Sequence, residues 1–526
     1  MLRKSHTFVR FNFLTITIIL CFLCSFKRFS GNGRCLEAFT VVLNQACGEG
    51  AKAWYVSTIN LQSASLQFCR ACRAVTTAHV LIRMRTPRSI WGRRTPQSIT
   101  DGAESCALSR VPVVQMVSAT WDIPTGSPKQ SLDTWVRGGW RLELGCFSIG
   151  DGIGSLVWPM CLRKLSFGDE FDQPIDEVVW PVLLDSLDLG LIFDQPIAGV
   201  VWPVSLKSIN FGKCFNQPIA EVAWPSSLQT LYLGCSFYQS TVGVEWPSTL
   251  QELSLGQEFD QAIAEVTWPA ALRKLLFGAS FDEPIAGVEW PAFLQELSLG
   301  GEDFNQPISG VAWPTTLRRL TLGTDFDQPI AEVAWPASLQ YLWLGNAFNQ
   351  PIAEAVWPAS LQEVWLGNTF NQPIVRVTWP ASLQKLWLGY EFKQPIVGVM
   401  WPASLQKLQL GGQFNQPIVG VVWPTSLQEV SFGYRFDQPI AGVVWPASMQ
   451  ILSFGNNFDQ PIAEVTWPAS LRELWIGRSF NHPIVGVVWP AFLRKLSFGT
   501  GFKQPIAGIA WPVSLERLTC GYDRVL

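Results

Sequence analysis

From about residue 135 to the end of the chain, apolar positions recur in seven columns with a period of 22 residues. In the copy WPASLQKLWLGYEFKQPIVGVM, from Trp379 to Met400, the columns are Trp379, Leu383, Leu386, Leu388, Phe392, Ile396 and Val399. The segment Leu383-x-x-Leu386-x-Leu388 ends in strict alternation, which predicts a short strand with one buried face. Pro380 and Pro395 have no N–H to give to a ladder, so their segments are predicted at corners. Gly389 recurs in all 17 copies and is predicted to turn the chain with positive φ. Two prolines and a glycine per unit leave no room for a three-turn helix. The predicted fold is a repeat solenoid of parallel β-strands, one right-handed coil per unit, with little helix.

Trp-Pro marks the unit from 158 to 290 and again from 313 to 511, giving 17 copies with a single-residue slip in Gly300-Gly301-Glu302-Asp303-Phe304. A worn copy precedes them, with Trp135, Leu142, Leu144 and Gly145 in register before one extra residue. An elongated array is therefore expected over 135–526. Each buried Trp removes roughly 150–250 Å² from water, worth at most about 4–6 kcal/mol. Two units lose the proline, at Tyr238-Gln239-Ser240 and at Asp260-Gln261-Ala262, and predict loosening over 238–263. The last rung, Leu515, Leu518 and Cys520, lacks a polar cap and predicts self-association through an uncapped carboxyl-terminal coil.

The run SLQxLxLGxxFNQPI, as in Ser338–Ile352 and Ser360–Ile374, resembles the FNIP repeat, a 22-residue relative of the leucine-rich repeat. The resemblance covers about residues 140–526, with Trp-Pro where that family more usually has Leu-Pro. It implies a leucine-rich-repeat-like solenoid used for interaction, and it brings no catalytic residues with it.

Charge separates the array from what precedes it. Residues 1–130 carry 16 Lys/Arg against 5 Asp/Glu, whereas the remainder carries 22 against 36. Arg3, Lys4 and Arg10 precede an apolar run from Phe11 to Phe26, closed by Lys27-Arg28. Residues 1–30 read as a signal peptide or a membrane signal-anchor, and both export and a cytoplasmic location stay open. Residues 31–134 read as a poorly ordered basic region. Its arginines 83, 85, 88, 93 and 94 have only Trp91 among them as a stacking aromatic, so no nucleic-acid partner is expected. Cys69 and Cys72 form one CxxC without further ligands nearby, and zinc wants four. No metal and no cofactor are expected.

Acids stack in one column, as at Asp172 and Asp194, Asp260 and Asp282, and Asp437 and Asp459. Two carboxyls about 5 Å apart are the geometry of a retaining glycosidase, so a carbohydrate-active enzyme is one reading. The same column also holds Asn349, Asn371, Lys393, Lys503 and Tyr238, which favours a turn-capping oxygen over an acid pair. With no nucleophile–base pair or phosphate loop, the chain is read as non-enzymatic. Opposite charges fall on neighbouring coils at Lys274 and Glu296, Glu363 and Lys385, Lys407 and Glu429, and Glu473 and Lys495, as cross-strand pairs do.

The strand face departs from its own background at one place. Where the exposed strand residue is usually small or polar, as at Ser254, Ser298, Thr321, Ser431 and Ser453, three successive coils carry Trp343, Trp365 and Trp387, with Tyr341 and Tyr390 nearby. Alternation points these side chains outward. Glu363, Lys385 and Lys407 supply a polar rim. The patch is predicted to bind a protein or glycan partner; the competing reading is that the indoles stack only on one another and stabilise the sheet.

Overall fold

A computed structural model describes residues 162–521, with Ile153, Trp158 and the backbone of six short strands outside that span. The predicted signal segment 1–30, the Cys69–Cys72 pair and most of the basic stretch 31–134 lie outside the described residues. The chain divides into two compact units, Met1–Phe193 with Val201–Ile209, and Asp194–Val200 with Asn210–Leu526.

In the first unit, Thr40–Gln45 pairs antiparallel with both Lys52–Val56 and His79–Arg83. Val117–Trp121 runs antiparallel to Trp140–Leu144, which pairs parallel with Leu162–Phe167. There Leu142 faces Leu165 and Leu144 faces Phe167, after a register shift at Trp140/Arg141.

The second unit carries a parallel ladder from Thr230–Tyr232 to Arg517–Cys520, one strand per coil. The chain is a β-solenoid of 22-residue turns, and no α-helix occurs among the described residues. Three tight turns close each coil. In the Trp379 copy, Leu383 N–H donates to the Pro380 carbonyl (3.0 Å), Phe392 N–H to Gly389 (3.1 Å) and Val399 N–H to Ile396 (3.2 Å). The single inserted residue after Leu299 stays inside one turn. Glu302 N–H and Asp303 N–H both donate to the Ala279 carbonyl, and the strands keep register with Glu296 facing Arg319.

Gly389 is needed for a reason other than the predicted one. Positive φ occurs at some members of its column, such as Gly190 and Gly345, but not at Gly389 itself. A Cβ built on Gly389 would lie 1.6 Å from the Gly367 carbonyl oxygen. Close stacking of successive coils, not turn handedness, excludes every side chain there.

Two aromatic columns fill the core. Phe392 is wholly buried and stacks between Phe370 (6.1 Å) and Phe414 (6.2 Å) with planes within 8°. Trp357 and Trp379 stack at 6.0 Å with planes 17° apart. Both are offset-parallel geometries favoured by ring quadrupoles. The indole N–H groups of Trp357, Trp379 and Trp423 are buried without an acceptor, so part of the area they contribute is offset by desolvation.

Across 238–263 the coils keep their register rather than loosening. Phe237, Phe259 and Ile263 are fully buried, and Thr230–Tyr232 pairs with Glu252–Ser254. The consequence of the altered sequence falls on Thr241, which takes the isoleucine position at 1% exposure. Its Oγ1 is buried without a hydrogen-bond partner. Thr241→Ile should therefore stabilise the array by about 1–3 kcal/mol, removing an orphan hydroxyl and adding apolar volume. Urea denaturation of the two proteins checks this; an unchanged or lower midpoint would rule it out.

The final rung, predicted to be open, is covered over two of its residues. Arg517–Cys520 pairs parallel with Lys495–Phe498, and Asp523–Arg524 folds back antiparallel against Thr519 and Cys520. Leu518 is fully buried, while Leu515 and Cys520 are half-buried.

Candidate functional site

The strands Tyr341–Trp343, Glu363–Trp365 and Lys385–Trp387 are consecutive in the ladder. Trp343 faces Trp365, and Trp365 faces Trp387. Leu342, Val364 and Leu386 point inward and are fully buried, so the flanking residues line the opposite face. That face is where the three indoles sit, all half-buried.

They do not form one uniform stack. Trp365 and Trp387 lie face to face with centroids 4.0 Å apart and planes 11° apart. No ring contact joins Trp343 to them among the described residues. Trp365 Nε1 donates to Glu363 Oε1 (2.8 Å), which holds that indole down along its own strand. The other Glu363 oxygen takes the Lys385 ammonium at 3.2 Å. Lys407 pairs with Glu429 at 2.8 Å and places its Nζ 5.9 Å from the Trp387 centroid. Lys385 and Lys407 are neighbours in the ladder, and each turns to a carboxylate on its far side.

Tyr341 lies under the Arg319 guanidinium, 3.6 Å from carbon to ring centroid, a cation–π contact. Burial pushes its phenol up, with Glu363 acting in the same direction and Arg319 opposing. Tyr390 stands apart from the strand face. It sits in the turn after Gly389, and its ring covers Gly412 of the next coil. Two contributors were missed from the sequence. Arg319 precedes Tyr341 by one unit in the same column, which was the available signal. Trp475 also occupies the indole column, 39% exposed between Ser453 and Ser497.

The stacked acids have a different task from the local turn cap predicted for them. Asp437 Oδ1 accepts the backbone N–H of Asp459 (2.9 Å) and the Gln460 side-chain amide (2.8 Å), both one coil onward. Asn349 does the same for Asn371 and Gln372. The column is an intercoil ladder in which each oxygen satisfies the next coil's donors, and amide and carboxylate serve equally. At Lys393 the side-chain link is lost, but Gln416 still donates to the Lys393 carbonyl (2.9 Å). Asp437 and Asp459 also border an open polar depression with Asn415, Arg435, Asn457 and Ser479. The four predicted charge pairs form across coils at 3.7 Å (Lys274–Glu296), 3.2 Å (Glu363–Lys385), 2.8 Å (Lys407–Glu429) and 2.7 Å (Glu473–Lys495).

The family described as FNIP Repeat matches residues 193–236, 370–413, 397–435 and 436–479. No curated protein matches the chain. Among solved structures, CroV588, described as a novel circular LRR protein, is 38% identical with a TM-score of 0.62. That match covers 69% of this chain and 57% of CroV588, so it spans a little over half of the other protein. An internalin (InlF) from Listeria monocytogenes is 16% identical over 56% of this chain and 82% of its own, with a TM-score of 0.38.

Proposed function

The chain carries FNIP repeats wound into leucine-rich-repeat-like coils, and from that premise we propose a non-enzymatic interaction scaffold that binds a protein segment on its strand face. The observation that carries the reading is the half-buried cluster of Trp343, Trp365 and Trp387, rimmed by Glu363, Lys385 and Lys407. Such rigid aromatic area with polar edges is what binding hot spots are made of. A protein partner is favoured over a glycan by the 4.0 Å stack of Trp365 on Trp387. A sugar ring needs an open indole face, whereas this stack turns two faces toward each other and Lys407 stands over Trp387. What is left offers edges, the outer face of Trp365 and the Trp343 ring to a partner's side chains.

The alternative, a carbohydrate-active enzyme, would use the stacked acids. Their ladder bonds to Asp459 and Gln460 already account for Asp437, which favours the scaffold reading. Trp365→Ser is the test, because several other coils, such as those of Ser254, Ser298 and Ser431, carry Ser at that position. The variant should keep the wild-type unfolding free energy, read by urea denaturation, within about 1 kcal/mol and weaken protein binding about 30-fold, or roughly 2 kcal/mol. Binding is read by quantitative cross-linking in extracts of the native source, beside a glycan array and a polysaccharide hydrolysis panel. An unfolded variant or an unchanged cross-linking profile makes the indoles structural. Hydrolysis abolished by Asp437→Asn would establish the enzyme instead.

A further inference from the structure

A second surface, away from the strand face, is apolar over three successive coils. It is built from the turn after Ile396 and the residue before each Trp-Pro. Met400, Val422 and Val444 stand there at 83%, 81% and 80% exposure, with Val397 and Val419 exposed beside them. Side chains so open contribute nothing to their own core. In the same coils the second turn position is Gly398, Gly420 or Gly442, so no charge interrupts the patch. The neighbouring coils do carry charge at that position: Arg376 on one side and Glu464 on the other, both exposed.

The arrangement is symmetric about the coil that begins at Trp401. Two coils before it stands a cation and two coils after it an anion, in one column. The residue before Trp-Pro reads Val356, Thr378, Met400, Val422, Val444, Thr466, Val488, the same chemistry in both directions from Val422. We propose that this face binds a second copy of the chain about a two-fold axis that lies in the face and passes through Val422. That operation reverses the order of coils and keeps each column opposite itself. Met400 then meets the partner's Val444, and Arg376 meets the partner's Glu464, twice per dimer. A self-complementary patch of this kind is what an isologous interface requires. The bulkier Val397 falls opposite the partner's Ala441, which eases the packing.

The area is that of a weak, reversible dimer. The five coils from Arg376 to Glu464, at the ~6 Å repeat of the aromatic columns beneath this face and about 16 Å across, give roughly 480 Å² per copy and about 960 Å² in total, at the lower edge of the ~1,000 Å² expected of a specific contact.

Sedimentation velocity of the full chain, from about 1 to 300 μM, tests the proposal. The wild type should shift from monomer to dimer across that range. Val422→Glu puts two carboxylates together at the axis and should weaken association at least about 100-fold, since like charges juxtaposed at an interface cost several kcal/mol. Arg376→Glu should weaken it about 10-fold, and Arg376→Glu combined with Glu464→Arg should restore it to within about 3-fold. Trp365→Ser should dimerise as the wild type does, which separates this interface from the strand-face reading. Circular dichroism and the urea midpoint establish that each variant is folded; every substituted side chain here except Trp365 is exposed. A monomer at every concentration, a dimer indifferent to Val422→Glu, or a charge swap that fails to restore association would each overturn the proposal.

Discussion

Gly389→Ala is expected to destabilise its coil by about 4 kcal/mol or more, the severe end for a single substitution. The added methyl would sit 1.6 Å from the Gly367 oxygen. That oxygen cannot swing away freely, because it accepts the Phe370 N–H at 3.0 Å in the turn of its own coil. Relief requires the two coils to separate, which strains the strand hydrogen bonds on either side, such as Leu388 N–H to Gln409 at 2.9 Å. Gly398→Ala is the matched control. Gly398 has φ of 86°, and the nearest atom to a new Cβ is Val375 Cγ1 at 3.8 Å. Only the left-handed backbone penalty applies there, about 1–2 kcal/mol. Urea denaturation of both variants, beside a wild-type control, gives the comparison. Equal losses at the two sites would show that backbone conformation, not close stacking, explains the invariance of the Gly389 column within the array.

This contrast also marks what could be read from the residues alone. The seven apolar columns, the strand at Leu386 and the opposite charges at Glu363 and Lys385 were legible because each repeats a chemistry that a single coil already demands. The reason for Gly389 was not. A periodic glycine suits a left-handed turn and a close approach equally well, and only the distance to the coil beneath separates them. The same holds for Asn349 and Asp437. An Asn/Asp position before a turn suggests a local cap, whereas their actual acceptors serve donors 22 and 23 residues onward. Column membership placed Trp343, Trp365 and Trp387 together on one face. It did not reveal that Glu363 would hold the Trp365 indole or that Trp343 would stay outside the stack. Those outcomes depend on rotamers, which periodicity does not encode.

Phe392→Ala should remove about 3–5 kcal/mol, the usual range for truncating a buried phenylalanine. The ring is fully buried, and its neighbours Phe370 and Phe414 are held 6.1 and 6.2 Å away by their own coils. They cannot close the gap without breaking the backbone pairing of Lys385 with Glu363 and Lys407. A cavity therefore remains, and cavity volume adds to the transfer term. Phe392→Leu, which keeps most of the volume, should lose less than half as much. The damage should also be unevenly distributed. In a repeat array, stability is nearly a sum of coil and nearest-neighbour terms. Hydrogen exchange should then accelerate around Leu383–Val399 and the two adjacent coils, while amides near Phe259 keep wild-type protection. Uniform acceleration across the array would show instead that the coils unfold as one cooperative block, in which a single lost ring lowers the stability of every coil equally.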